Sequence, residues 1–326
     1  MEKKLMDFNS YAVRICLKRL LKDKSSKKNI IWATNTYRQF APAFDDKKEI
    51  SENLFTTGFV LEPRTSKSDQ DQLERTKKKA EVFTPSWIVN QMNNLCDEEW
   101  FGRKNVFNIE KGKTWEVVEE KINFPENKSW QDYIDSTRLE LTCGEAPFLV
   151  SRYDVSTGEM LVPTIIRMGI LDRKLRIVNE NTETKEDWIR RAIRAVKSCY
   201  GYEYQGDNLL LARINILLSF VEYFEERRDE RVDKNILLKL ANIISWNIWQ
   251  MDGLTDTSPL GAPAEDSNQL SLLDLEELGG IVEDKEKEPI PSRIYDWRSN
   301  RSLRFMDMKE KKVKKFDFVI GNPPYQ

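Results

Sequence analysis

The stretch "CYGYEYQGDNLLLARINILLSFVEYFEERR", residues 199–228, constrains the fold more than any other part of the chain. A short apolar run ends on the acid Glu203, and the polar turn Gln205-Gly206-Asp207 follows. A helix then carries Leu210, Ile214, Leu217, Leu218 and Val221 on one face. A strand that hands its chain straight to a long helix cannot form a hairpin with the next strand, so that strand returns parallel. "RLELTCGEAPFLVSRYD" reads as another strand followed by a tight turn, and "ANIISWNIWQMDGL" as an apolar strand ending in Asp252. In "KKFDFVIGNPPYQ", Phe316, Phe318 and Ile320 alternate with Asp317 and Val319 before Gly321 and two prolines break the run. The expectation is an α/β fold with a parallel, doubly wound sheet, whose ligands bind beyond the carboxyl ends of the strands.

Around this core the chain divides into an N-terminal extension over 1–75, helical then irregular, and a catalytic core over 76–326 with inserts at about 100–135, 150–195 and 256–295. The extension opens on a basic helix with Val13, Leu17, Leu20 and Leu21 at helical spacing. Ser86 is the expected N-cap of a helix whose apolar face is Ile88, Met92 and Leu95. The insert at 100–135 is rich in Trp and Phe and is expected to pack on the core, and "YDVSTGEMLVP" reads as a hairpin-like excursion around Ser156-Thr157-Gly158. Residues 256–292 hold most of the small, acidic and proline residues and are expected to form a surface excursion.

The chain has no histidine, which excludes Ser-His and Cys-His catalysis, imidazole bases and His-bearing metal sites. Its four cysteines are far apart, without zinc spacing or a disulfide framework, so no metal is expected. With 52 basic and 54 acidic residues the whole chain has no strong field, and any polyanion must be met locally. Basic runs occur at 14–28, 75–79 and 309–315. No stretch has the apolar length of a membrane span and the N-terminus lacks a signal-peptide core, so a cytoplasmic protein without membrane attachment is expected.

The remaining chemistry gathers at the strand ends. Glu203 is suited to accept both hydroxyls of a ribose, and Gly144 and Ala146 let a ligand approach the backbone of the turn Thr142-Cys143-Gly144-Glu145-Ala146. Asp252 can accept a hydrogen bond from an adenine amino group; a turn-capping role is equally open. Asn322 precedes Pro323, which precedes Pro324, and each proline presses the residue before it into extended geometry. The Asn322 side-chain oxygen and the Pro323 carbonyl then form two stiffly held acceptors. Such a pair grips the two N–H bonds of an exocyclic amine and turns its lone pair toward an electrophile, with no ionisable base needed. Tyr325 offers a flat face for a base. Cys143 is read as a small packing residue.

In this order, "EVFTP", "ELTCGEAPFL", "YGYEYQGDNLLLARIN", "WQMDGL" and "DFVIGNPPYQ" resemble the motifs of the γ-class N6-adenine DNA methyltransferases, most nearly the large methylases of restriction-modification systems, including those fused to an endonuclease (type IIG). The likeness spans roughly residues 75–326. It implies a Rossmann-like S-adenosyl-L-methionine-dependent methyltransferase sheet, here incomplete, with later strands missing after Gln326. Phe83, Thr84 and Pro85 would cover the methionine end of the cofactor, with Thr84 near its carboxylate. Glu140, Cys143 and Gly144 would form the loop beneath it, Glu203 would hold the ribose and Asp252 the adenine. Asn322, Pro323, Pro324 and Tyr325 would receive an adenine flipped from double-stranded DNA. The family's loop reads Asp-Pro-x-x-Gly-Ser-Gly-x-Phe; here Glu140, Leu141, Glu145 and Ala146 replace the Asp, Pro, Ser and second Gly. Glu145 is therefore expected to bring a negative charge toward the cofactor's carboxylate.

Two other readings stay open on the same residues. One is methylation of a protein glutamine, whose amide nitrogen poses the same problem as the adenine amine. The other is an inactive fragment or subunit that needs the missing C-terminal part, or a restriction or specificity subunit, to cover an apolar edge at 316–320.

Overall fold

The computed structural model describes residues 5–66, 84–259, 289–311 and 315–322. In chain order the helices are α1 (Tyr11–Leu20), α2 (Glu52–Thr56), α3 (Ser86–Phe101), α4 (Trp130–Asp135), α5 (Ile170–Asn181), α6 (Lys185–Lys197), α7 (Gly206–Arg228), α8 (Lys234–Asn247) and α9 (Phe305–Lys311). The strands are β1 (Asn108–Lys111), β2 (Thr114–Val117), β3 (Arg138–Glu140), β4 (Cys199–Glu203), β5 (Ile248–Gln250), β6 (Arg293–Asp296), β7 (Arg301–Arg304) and β8 (Phe318–Ile320).

The organising element is a four-stranded parallel sheet in the order β5-β4-β3-β8, flanked by two antiparallel hairpins, β1-β2 and β6-β7. From β3 the chain moves outward through β4 to β5, then returns to lay β8 on the other side of β3. The strand order therefore reverses between β3 and β8, the kind of point at which open α/β sheets bind ligands. Among the described residues β8 is an edge strand, and Val319 is 54% exposed.

Alternation along the strands sorts the two faces. Cys199, Ile248 and Ile320 belong to the main hydrophobic cluster, with α1 and α3 to α8. Leu139, Tyr200, Tyr202, Trp249 and Met251 face the other way and form a second cluster with Ile294, Phe305 and Met308. The residues just before and along β6, β7 and α9 thus cover one face of the sheet, and Ile294 is fully buried. These covering residues are core, because five large side chains on that face would otherwise meet water; of the expected surface excursion at 256–292, residues 260–288 lie outside the described residues.

The N-terminal helix forms as its spacing predicts, with Val13, Leu17 and Leu20 buried. It belongs to the main core: Cys16 Sγ donates to Leu237 O, and the fully buried Arg213 on α7 donates to the carbonyls of Leu20, Lys22, Ser245 and Ile248. Gly206 donates its N–H to Trp32 O, and a Cβ there would sit 1.9 Å from Ile31 O. That close approach explains the glycine.

Three local expectations are corrected. Helix α7 is buried on every side over residues 206–221, because α1, α5, α8 and the sheet enclose it, so it has no single apolar face. The run 241–247 is the end of α8, and β5 is only Ile248–Gln250; a short apolar run does not distinguish strand from helix. Helix α3 has Pro85 at its N-cap, with no side-chain cap, and Ser86 is its first residue. Its buried face is Val89, Asn90, Asn93, Asp97, Trp100 and Phe101, whereas Leu95 is 64% exposed. Polar residues win that face because Arg173 of α5 donates to Asp97, Asn90 and Asn94. The aromatic insert packs as expected: Trp100, Phe101, Phe107, Phe124 and Tyr133 form one ring cluster. The hairpin-like excursion is also present, with Leu161 N donating to Arg152 O and Asp154 N to Glu159 O.

Candidate functional site

The carboxyl ends of β3, β4 and β8 converge at the order reversal. Two backbone bonds and one to a side chain knit them together: Cys143 N donates to Tyr202 O (2.8 Å), Leu141 N to Ile320 O (2.9 Å), and Gly144 N to the carboxylate Oε2 of Glu203 (2.8 Å). The turn after β3 is sharply folded, with Thr142, Gly144 and Ala146 all at positive φ (43°, 54° and 64°). Cys143 is buried and packs on β4, where a Cβ on Gly201 would meet its side chain at 3.3 Å. Burial, then the charges of Glu140 and Glu203, push its thiol well above the ordinary range, which suits packing and not nucleophilic work.

The two glutamates do different jobs. Glu140 is 1% exposed, and its oxygens accept from Phe148 N (3.3 Å) and Leu149 N (3.0 Å), so it pins the segment that leaves the turn. Burial drives its pKa well above the carboxylate range, against the two backbone bonds, and the charge of Glu203 adds to the rise. Glu203 bridges two loops: Oε2 takes Gly144 N and Oε1 takes Gln205 N (3.1 Å).

Glu145 does not present its charge as expected. It is 1% exposed, with Oε1 accepting from Arg64 N (2.8 Å) and Oε2 from the Tyr153 hydroxyl (2.5 Å). The left-handed turn swings it into the protein, where the N-terminal segment and the 150–161 excursion meet it.

Thr84 and Asn322 come together although 238 residues separate them: Asn322 Nδ2 donates to Thr84 Oγ1 at 3.1 Å. The bond uses a donor, so it does not consume Oδ1, the acceptor an amine needs. Thr84 is buried, and Pro85 follows as the residue whose carbonyl starts α3, accepting from Ile88 N and Val89 N. Asp154 fixes that start by accepting from Ser86 N (2.9 Å). Gly321 lets β8 come close: a Cβ there would lie 2.9 Å from Leu141 O. Phe83, Pro323, Pro324 and Tyr325 lie outside the described residues.

Asp252 stands apart from this group. Its Oδ1 accepts from Leu254 N (2.9 Å) and its backbone pairs with Thr257, so it caps its own turn beyond β5. Among the described residues no hydrogen bond joins it to Thr84, Gly144, Glu203 or Asn322.

Gln205 was not singled out from the sequence. It is 5% exposed in the turn that carries Glu203, and its Oε1 has no hydrogen-bond partner among the described residues. A buried orphan acceptor beside a carboxylate fits a ligand rich in donors or carrying positive charge. Sequence offers no signal for it beyond its place after a strand-ending acid. Among the described residues no group of His, Cys, Asp and Glu is arranged to hold a metal ion, and no helix is long and apolar enough to cross a membrane.

No family model matches the chain, and no curated protein or solved structure matches it.

Proposed function

We propose that the chain carries the Rossmann-like core of an S-adenosyl-L-methionine-dependent DNA methyltransferase that modifies the N6 amino group of adenine, in a restriction-modification setting. The observation that carries this reading is the Asn322–Thr84 hydrogen bond, which brings the first and last of the sequence motifs together at the reversal of strand order. The residues present fit the cofactor: Gly144 brings no side chain to the sharp turn after β3, Glu203 stands at the end of β4 beside that turn, and the orphan Oε1 of Gln205 suits a cationic or donor-rich ligand.

Glu203 would hold the ribose hydroxyls, Gly144 would line the methionine and Thr84 would meet its carboxylate, while Asp252, whose Oδ1 caps its own turn, would have only Oδ2 to offer the adenine amino group. S-adenosyl-L-methionine supplies, when bound, an electrophilic methyl group. Asn322 Oδ1, with the Pro323 carbonyl, would accept the N–H bonds of the target amine and orient its lone pair. The amine becomes acidic as it is alkylated, so no histidine or other strong base is required.

Calorimetric titration with S-adenosyl-L-methionine, followed by methyl-label transfer to adenine-containing duplexes and to a glutamine-bearing release-factor-type peptide, tests the reading. Expected are binding that Glu203→Ala abolishes and Asn322→Ala spares, and label on adenine that Asn322→Ala removes. No heat from a folded sample, or label in peptide alone, overturns it.

A further inference from the structure

The amino ends of β3, β4 and β8, opposite to Asn322, border a cleft of about 390 Å³. Four cations line it, Arg194, Lys197, Arg298 and Lys315, against two carboxylates, Asp135 and Asp296. Both acids are engaged. Asp135 receives Arg194 through Nε (2.9 Å) and Nη2, while Asp296 accepts from Arg298 N (3.2 Å) and the Ser299 hydroxyl (2.6 Å) within its own turn. Among the described residues, Lys197, Arg298 and Lys315 make no ion pair with a carboxylate.

Like charges crowd Lys197. Burial, then Lys239 and Arg194, all push its ammonium below the ordinary lysine pKa, with no acid among the described residues countering them. An anion in the cleft would relieve this. The aromatic walls do not offer a stacking face: Trp297 has Lys197 over its ring at 4.6 Å and Tyr295 against it at 4.4 Å, and Tyr200 gives its hydroxyl to Tyr295 O. Recognition here would run through charge, without reading a base.

We propose that this cleft is a second ligand site, taking a phosphate-bearing anion through Lys197, Arg298 and Lys315. A guanidinium and two ammoniums around one cavity match the several oxygens of a phosphate or diphosphate group. The source is either a free nucleoside phosphate or the backbone of a nucleic acid. The site lies at the opposite end of the strands from Asn322 and rests on charge alone, so it stands whether or not the chain transfers methyl groups.

Calorimetric titration of the protein with pyrophosphate, a nucleoside triphosphate and a short DNA duplex tests it. Pyrophosphate is expected to bind, and Lys197→Ala and Arg298→Ala each to weaken it roughly tenfold, the effect of losing one charge-assisted hydrogen bond. Lys104→Ala, at an exposed lysine outside the cleft, is expected to change nothing. Duplex binding whose salt slope falls by about one for each cation removed would identify the nucleic-acid backbone as the source. Triphosphate binding without duplex binding would identify the free nucleotide. No binding of pyrophosphate at millimolar concentration, or equal weakening in all three variants, or in none, overturns the proposal.

Discussion

Replacing Glu203 with glutamine tests whether its carboxylate is the clamp between the β3 and β4 loops. Its oxygens accept from two different backbone donors, Gly144 N at 2.8 Å and Gln205 N at 3.1 Å. A glutamine has one carbonyl oxygen and one NH2, so one of the two backbone N–H groups must face a donor. The shorter bond to Gly144 should keep the oxygen, and the Gln205 amide should lose its partner. A hydrogen bond to a charged group contributes about 1.5–3 kcal/mol, and the donor left unmatched is nearly buried, so the expected loss is about 2–3 kcal/mol. For a chain of this size that is a fall in melting temperature of roughly 3–4 °C. Glu203→Ala removes both bonds and should cost roughly twice as much. Thermal unfolding beside a titration with S-adenosyl-L-methionine separates the clamp from the proposed ribose contact. A glutamine variant that melts like the parent and binds the cofactor like the parent would refute the clamp and the ribose contact together. Unchanged melting with weakened binding would refute only the clamp.

Three further outcomes are expected. Gly321→Ala places a methyl 2.9 Å from Leu141 O and 3.1 Å from Leu141 Cβ, so β8 must move away from β3; methyl transfer should fall at least tenfold while cofactor binding survives, as kinetics and titration would show. Glu222 of α7 accepts from Arg152 and Arg167 (2.8 and 2.7 Å); burial alone would raise its pKa, but the two guanidiniums outweigh it and hold it at about 2 against the usual 4.5. The depressed pKa contributes about 3 kcal/mol above pH ~4.5, and this is lost as the pH falls toward 2, so acid unfolding should flatten in Glu222→Gln over that interval. Asp97→Asn leaves Arg173 buried beside a neutral partner and should destabilise by about 3 kcal/mol or more, measured by denaturant unfolding; an effect under 1 kcal/mol would show that the α3–α5 contact does not rest on that charge.

Much of the site is legible before folding because its residues sit where secondary structure stops. A strand ending at Glu203, a tight turn after Glu140 and a glycine after Ile320 are marked by local punctuation, and β4 ends at Glu203 as read. Features decided by distant partners are not legible. Glu145 looks like an exposed loop acid until Arg64 and Tyr153 close on it, from 81 and 8 residues away. Asn90, Asn93 and Asp97 look like the wet side of α3 until Arg173 meets Asn90 and Asp97 and the carbonyls of Phe148 and Met168 take Asn93. The run 241–247 has the composition of a strand, and only its packing as the end of α8 against α1 and α7 makes it helical.

The sequence by itself determined the alternation of strand and helix, the acids and glycines at the strand ends, and a chemistry without histidine, because each of these is a property of neighbours along the chain. Tertiary structure alone decided that the strand order reverses between β3 and β8, that Thr84 meets Asn322, that the 289–311 segment covers one sheet face, and that the cations of the opposite cleft stand together. The physical reason is separation. Backbone preference acts over a few residues, whereas a buried charge or a shared hydrogen bond is satisfied only by whatever part of the chain the packed core brings beside it.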